Sequence, residues 1–191
     1  MLVPVRTAAP ASTPVTLAQA KLHCRVDHDN EDTLITALIA AATDHLDGFT
    51  GILGRALITQ TWRQDFGGFS SALRLPLRPV ASISSVTYYD GGNAQQTLSP
   101  SVYGLFTDER GAHVALKPDQ VWPGTFSRSD AVSVTFIAGV ADASVPQPIK
   151  QAMLLMIGHW YAGREAVAAG DMRSVPMAVD ALLQPYRTIG V

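Results

Sequence analysis

From Ala56 to Ala138 the chain consists of short runs rich in β-branched and aromatic residues: Ile58-Thr59-Gln60-Thr61-Trp62, Ser82 to Tyr89, and Ala131 to Ile137. Gly, Pro and Asp separate the runs, as they do between the strands of an antiparallel sheet. On either side of this block the apolar residues instead recur at helical spacing. Two helices, a block of strands, then two helices is an α+β order, in which the two ends of the chain must meet to build a helical core. The β region is an antiparallel insertion between them.

Local signals place the elements. Thr16-Leu17-Ala18-Gln19 has the S/T-x-x-E/Q form, in which hydroxyl and amide satisfy the unpaired N–H groups of a helix start. It predicts a brief helix ending near Cys24. The run Asp27-His28-Asp29-Asn30-Glu31-Asp32 offers Asp29 or Asn30 as the cap of a second helix, and its acids suit the positive end of the helix dipole. Leu34, Ile35, Leu38, Ile39, Ala42 and Leu46 then share one face as far as about Asp47, with Gly48 or Gly51 as the stop.

Within the insertion, the glycines of Tyr89-Asp90-Gly91-Gly92-Asn93 permit the positive φ of a hairpin turn, and Val132, Val134 and Phe136 alternate as in a half-buried strand. Helix resumes after Val145-Pro146-Gln147-Pro148, where proline suits the first turn, and Ile149, Met153, Met156, Ile157 and Trp160 line one stripe down to about Gly163. An Ala- and Gly-rich loop from Glu165 to Val175 precedes a last short helix that begins near Pro176, carries Val179, Leu182 and Leu183, and stops at Pro185-Tyr186-Arg187. The organisation expected is an extended arm over residues 1–15, stiffened by Pro4, Pro10 and Pro14 and able to wrap a neighbour. A helical core spans 16–55 and 145–184, the β insertion 56–144, and a tail 185–191.

Composition narrows the function. Hydrophobic residues are 47% of the 191 and charged residues 16%, below the roughly 25% usual in soluble domains, which fits extensive contacts between subunits. The net charge is −2 and no Lys/Arg cluster occurs, so the chain is not built to hold nucleic acid through its phosphates. The single cysteine, Cys24, allows no internal disulfide and suits a reducing compartment. The prolines of the first fifteen residues interrupt anything resembling a signal peptide, and no apolar run approaches the roughly 18 residues of a membrane span.

Residues that could carry chemistry have structural explanations beside them. The 27–32 cluster supplies oxygen and nitrogen ligands but lacks the spacing and central glycine of a Ca²⁺ loop, so it reads as a helix start. None of the five histidines (His23, His28, His45, His113, His159) lies in a zinc-binding context, and His159, in Gly158-His159-Trp160-Tyr161, reads as a packing histidine. No G-x-S-x-G, G-x-x-x-x-G-K or G-x-G-x-x-G is present, so nucleophilic hydrolysis, nucleotide hydrolysis and dinucleotide binding lack their usual backbone signatures, and no metal or cofactor is expected. Trp62, Trp122, Trp160, Tyr88 and Tyr89 lack the basic neighbours of a base-stacking platform, and Met153-Leu154-Leu155-Met156 reads as core.

Val15-Thr16-Leu17-Ala18-Gln19-Ala20-Lys21 with Arg25-Val26-Asp27-His28-Asp29 resembles the start of phage head-to-tail connector (adaptor) proteins. The resemblance continues through Leu73-Arg74-Leu75-Pro76, Pro79-Val80-Ala81-Ser82-Ile83 and Tyr88-Tyr89-Asp90. It extends to Val145-Pro146, Ile149-Lys150-Gln151-Ala152, Gly158-His159-Trp160-Tyr161, Val175 to Leu183 and Pro185-Tyr186-Arg187, covering nearly the whole chain in order. The family includes members in gene transfer agents.

The resemblance implies a structural, non-enzymatic subunit in the neck of a virion, assembled in the host cytoplasm as a ring of about twelve copies. It implies contacts with the portal protein on one side and a tail-side stopper or tail terminator on the other. DNA passes through the lumen without specific binding, which a weakly acidic wall permits. The family's C-terminal segment reaches the portal, which here designates Pro185, Tyr186, Arg187, Thr188 and Ile189; deleting 185–191 is expected to abolish docking and leave the fold intact. The rival readings are a small hydrolase using carboxylates such as Asp65, Asp90, Asp108 or Glu109, and another virion ring protein such as a tail terminator or stopper.

Overall fold

The computed structural model of the chain describes residues 1–163 and 177–188. They gather into two compact units, Met1–Ala11 with Thr59–Val140, and Ser12–Ile58 with the described part of Ala141–Val191. Among the described residues every strand lies in the first unit and every helix in the second, giving the α+β class expected from the pattern.

The helical unit opens on α1, Leu17–Cys24, where Thr16 Oγ1 accepts the Gln19 N–H at 3.2 Å and Gln19 Oε1 accepts the Thr16 N–H at 2.9 Å. That reciprocal pair is the box read from the sequence. The helix ends as Arg25 turns left-handed, φ 59°. Helix α2, Asp32–Leu46, corrects the expected cap: Glu31 occupies the cap position without a side-chain cap bond. Asp29 is diverted because its carboxylate pairs with Lys21 Nζ at 2.6 Å, an ammonium that also meets Asp32 at 2.7 Å. A charge-assisted bond to a cation outcompetes a neutral N–H as partner.

Ile35, Ile39, Ala42 and Leu46 form the buried face of α2, whereas Leu34, at its border, remains 37% exposed. Helix α3, Gln147–Ala162, begins behind Pro146, carries Pro148 in its first turn and ends at Gly163. Its Ile149, Met153, Met156 and Ile157 are buried, with Trp160 half-buried at the edge of the stripe. Helix α4, Met177–Leu183, packs on α3 through Val179 and Leu183, and a 3-10 turn, Gln184–Tyr186, follows. Helices α1, α2 and α3 pack pairwise. Truncating one of their buried Leu, Ile or Met side chains to Ala costs about 2–5 kcal/mol. The expected loop from Glu165 to Val175, and Pro176, lie outside the described residues.

The β unit holds two antiparallel sheets. The larger runs β1 (Val5–Ala8), β2 (Gln60–Phe66), β8 (Val132–Ala138), β4 (Val80–Tyr89), β5 (Gln95–Thr97); the smaller runs β3 (Leu73–Arg74), β7 (Gly111–Leu116), β6 (Tyr103–Asp108). Central β8 alternates as its sequence does: Val132, Val134, Phe136 and Ala138 are fully buried, and Phe136 stands opposite Trp62 while Val134 stands opposite Gln64. The proline-rich opening is extended, and its Val5–Ala8 spends backbone groups on β2, with Pro4 and Pro10 just outside the paired stretch. The Leu2 carbonyl accepts from Gln64 Nε2 at 2.6 Å and the Leu2 N–H donates to Asp65 O at 3.0 Å.

At the β4–β5 turn the left-handed residue is Asn93, φ 60°, and not either glycine. Asp90 organises the turn through Oδ1, which accepts the N–H groups of Gly92 and Ala94 at 3.0 Å each, so the positive φ falls to the asparagine that follows, a residue type that tolerates it.

Candidate functional site around the C-terminal segment

Four of the five residues designated from the sequence for an outside contact, Pro185, Tyr186, Arg187 and Thr188, are described; Ile189 lies outside the described residues. They do not hang free. The Thr188 N–H donates to the Leu53 carbonyl at 3.0 Å, and its hydroxyl reaches the Gly54 carbonyl at 3.5 Å. The Tyr186 ring lies 5.7 Å under the Arg55 guanidinium, and Arg187 pairs with Asp180 of α4 at 2.8 Å. Burial pulls the Arg55 guanidinium below its ordinary pKa, and the facing Tyr186 acts against that shift.

The bed beneath this segment is the turn after α2, residues 47–57. Asp47 is 7% exposed, and its carboxylate accepts the Leu57 N–H at 2.7 Å, closing the turn from inside. Gly48 donates to Arg55 O at 2.8 Å with φ 81°, and Ile52 N–H returns to His45 O at 2.9 Å. Gly51 is packed so tightly that a Cβ there would lie 2.4 Å from the Asp47 carbonyl oxygen and 2.5 Å from the Leu46 carbonyl carbon. The turn drives Leu53 fully into the helical core and leaves Phe49 and Ile52 exposed at 40% and 39%. Sequence reading named the tail but not this bed; its one signal was the spacing of Gly48, Gly51 and Gly54.

The other candidate residues are used structurally. Asp65 accepts from Ser133 Oγ at 2.7 Å and meets Arg63 at 3.1 Å. Asp90 caps its turn, and its carboxyl is lowered first by the Gln96 side chain. Asp108 pairs with Arg74 through two bonds of 2.6 and 2.7 Å, which hold its carboxyl far below the usual range. Glu109 is exposed in the β6–β7 turn. Asp65, Asp90 and Asp108 are therefore engaged in turns and ion pairs.

In the helical unit, Glu31 accepts from the Tyr161 hydroxyl, joining the start of α2 to α3. A shallow groove of about 510 Å³ beside this bond is lined by His23, Cys24, Leu155, Gly158, His159, Tyr161 and Ala162. Among the described residues no three His, Cys, Asp or Glu side chains come together as a metal site. His113 stacks on Phe106 at 6.0 Å, and His28 and His45 are exposed.

The aromatic residues depart from the sequence reading, which gave them no basic neighbours. The Arg128 guanidinium lies 3.7 Å over the Tyr89 ring and Arg6 5.9 Å over Trp62, because the sheet brings arginines distant in sequence onto these rings, and Trp122 and Tyr88 share Phe69. Trp122 stacks on Phe69 at 4.5 Å with its N–H fixed on Ser70 O at 3.0 Å, Tyr88 tilts against Phe69 at 5.6 Å, and Trp62 is buried in β2. No helix among the described residues is long and apolar enough to cross a membrane.

Residues 14–89 match the family model of phage gp6-like head-tail connector proteins, a stretch that runs from the α1 cap to the end of β4. The fold as a whole is shared with solved structures. A chain from the neck of an empty GTA particle, computed with C6 symmetry, superposes with a TM-score of 0.77 at 22% identity over 100% of this chain and 97% of that one. A chain from the virion of a native gene transfer agent particle gives the same values. One from the neck of a native GTA particle with C12 symmetry gives a TM-score of 0.69 over the same coverage. No curated protein matches the chain.

Proposed function

We propose that this chain is a head-tail connector of the gp6-like family: a structural adaptor subunit that forms a ring between the portal and the tail of a tailed phage or gene transfer agent particle. The observation that carries the reading is the coincidence of the connector match over residues 14–89 with a fold shared along 100% of the chain with a neck protein.

In this reading the ring has about twelve copies, closed by rotation so that each subunit presents one surface to the next and a different one to the last. The 16% charged composition suits subunits whose surfaces are covered in the assembly. The lumen passes DNA without gripping it, because a chain of net charge −2 offers phosphates no basic track. One end of the ring meets the portal, the other a stopper or tail terminator, and the particle neck is where the protein resides.

Portal contact is assigned to Pro185, Tyr186, Arg187, Thr188 and Ile189. What supports this is their seating: one backbone bond from Thr188 to Leu53 and the Arg55–Tyr186 stack tie the segment to the turn 47–57, which leaves Phe49 and Ile52 exposed. A pre-ordered segment loses less entropy on binding than a free tail. Because these residues also brace the turn 47–57, deletion of 185–191 costs some stability as well as docking.

Native mass spectrometry of the chain with and without purified portal, followed by imaging of the complex, tests the function. A ring seated on the portal is expected. A monomer indifferent to the portal refutes the assignment.

A further inference from the structure

Among the described residues the larger sheet has two sides on which no further strand is paired. Among them strand β1 borders β2 alone, and all four of its residues are exposed. On the opposite side β5 covers β4 only from Thr87 to Tyr89, so among the described residues no strand borders β4 between Val80 and Ser85 on the side away from β8. An open strand edge can take a further strand, and proteins guard such edges with charge, proline or β-bulges. Val80-Ala81-Ser82-Ile83-Ser84-Ser85 carries neither charge nor proline, and two register shifts are its one guard.

We propose that copies of this chain join head to tail through these sheets, β1 of one copy adding as a strand to the open Val80–Ser85 edge of β4 in the next. The inference rests on the ring reading above and supplies an interface for it.

Three observations fit β1 of a second copy to this edge. The first is polarity: β1 against β2, β2 against β8 and β8 against β4 are all antiparallel, so β1 and β4 run in opposite directions. A neighbour that continues the sheet in the same sense therefore offers its β1 antiparallel to β4. The second is register length: Pro4 and Pro10 bracket Val5–Ala8, leaving one short stretch whose N–H groups can join a ladder. The third is chemistry. Val5 is 46% exposed and Val3 70%, apolar surface that an added strand would cover, while the Arg6 guanidinium lies 5.9 Å over Trp62 of its own sheet.

The ladder breaks between Val80 and Ser82, between Ile83 and Ser85, and in β1 between Arg6 and Ala8. Such irregularities bend and twist a strand. At this junction they would turn each sheet relative to the last, as closure by rotation requires. Because the two edges differ, the contact is heterologous and propagates around a ring instead of stopping at a pair.

Cysteine pairing in the assembled full-length protein tests this. In a Cys24→Ser background, Val5→Cys or Thr7→Cys is combined with Ser82→Cys or Ser84→Cys, and rings purified on the portal are mildly oxidised. The expected result is a ladder of disulfide-linked multimers from at least one combination and none from any single-cysteine variant, since neither edge faces itself. Rings of normal mass that yield no ladder from any combination overturn the edge contact and leave the connector reading standing. A wild-type chain that stays monomeric with portal overturns both. Ser82→Lys with Ser84→Lys gives a second measure: the far-UV spectrum and melting of the monomer are retained and the ring mass is lost, whereas rings formed as by wild type overturn the proposal.

Discussion

Gly51→Ala should be strongly damaging to the helical unit, although it adds a single methyl group. The new Cβ would stand 2.4 to 2.6 Å from the Asp47 carbonyl oxygen and from the Leu46 carbonyl carbon and oxygen. All three atoms are backbone at the end of α2, so no side chain can swing aside; the turn itself must move by most of an ångström. Moving it strains the Asp47–Leu57 bond of 2.7 Å and withdraws Leu53, which is 0% exposed, from the core. Overpacking of this kind costs about 1–3 kcal/mol, and the partial loss of a buried leucine places the sum near the upper end, about 3 kcal/mol.

For a chain of this length each kcal/mol lowers the melting temperature by about 2–4 °C, so a fall of roughly 6–12 °C is expected. Circular dichroism at 222 nm reports it, with Gly91→Ala as the control, since a Cβ at Gly91 meets nothing within 4 Å. The same shift displaces the seat of Thr188, so portal affinity should fall with stability. A Gly51→Ala protein that melts within a degree of wild type refutes the packing argument, and one that melts low yet docks normally refutes the link between the turn and the C-terminal segment.

Tyr186→Ala removes the ring under Arg55 and should lower monomer stability by only about 0.5–1 kcal/mol, while weakening portal binding by tenfold or more in a titration followed by light scattering; unchanged binding would remove Tyr186 from the contact. Thr16→Ala breaks the reciprocal box at α1 and should cost about 1 kcal/mol in urea unfolding, with Thr16→Ser close to wild type. Asp108 is depressed by its Arg74 partner, so its contribution is fully present above the ordinary carboxylate range and is lost as pH falls through the lowered folded value. Arg74→Met should therefore bring the Asp108 carboxyl resonance back toward an ordinary titration by NMR, and a carboxyl that still titrates far below the usual range would place the cause elsewhere.

The elements that could be read from the sequence alone are those whose signals lie within a helical turn or a strand repeat. Thr16 and Gln19 sit three residues apart and satisfy each other wherever the helix is placed; Val132, Val134 and Phe136 alternate because a pleated strand bordering a core leaves no other choice. The same locality explains the errors. Asp29 and Asn30 have the chemistry of caps, but the Lys21 ammonium, eight residues away across a corner, claims Asp29. Gly91 and Gly92 have the freedom for a left-handed turn, but Asp90 assigns that conformation to Asn93.

What the sequence by itself determined is the order of the helices and of the main strands between them, and the faces they bury. Only the tertiary structure decided that Val5–Ala8 borders β2, that the larger sheet ends in two sides left open among the described residues, and that Thr188 seats on Leu53. These are backbone contacts between distant segments. Every residue but proline brings the same N–H and C=O to them, so no residue type announces them, and they become visible only once packing has brought the segments together.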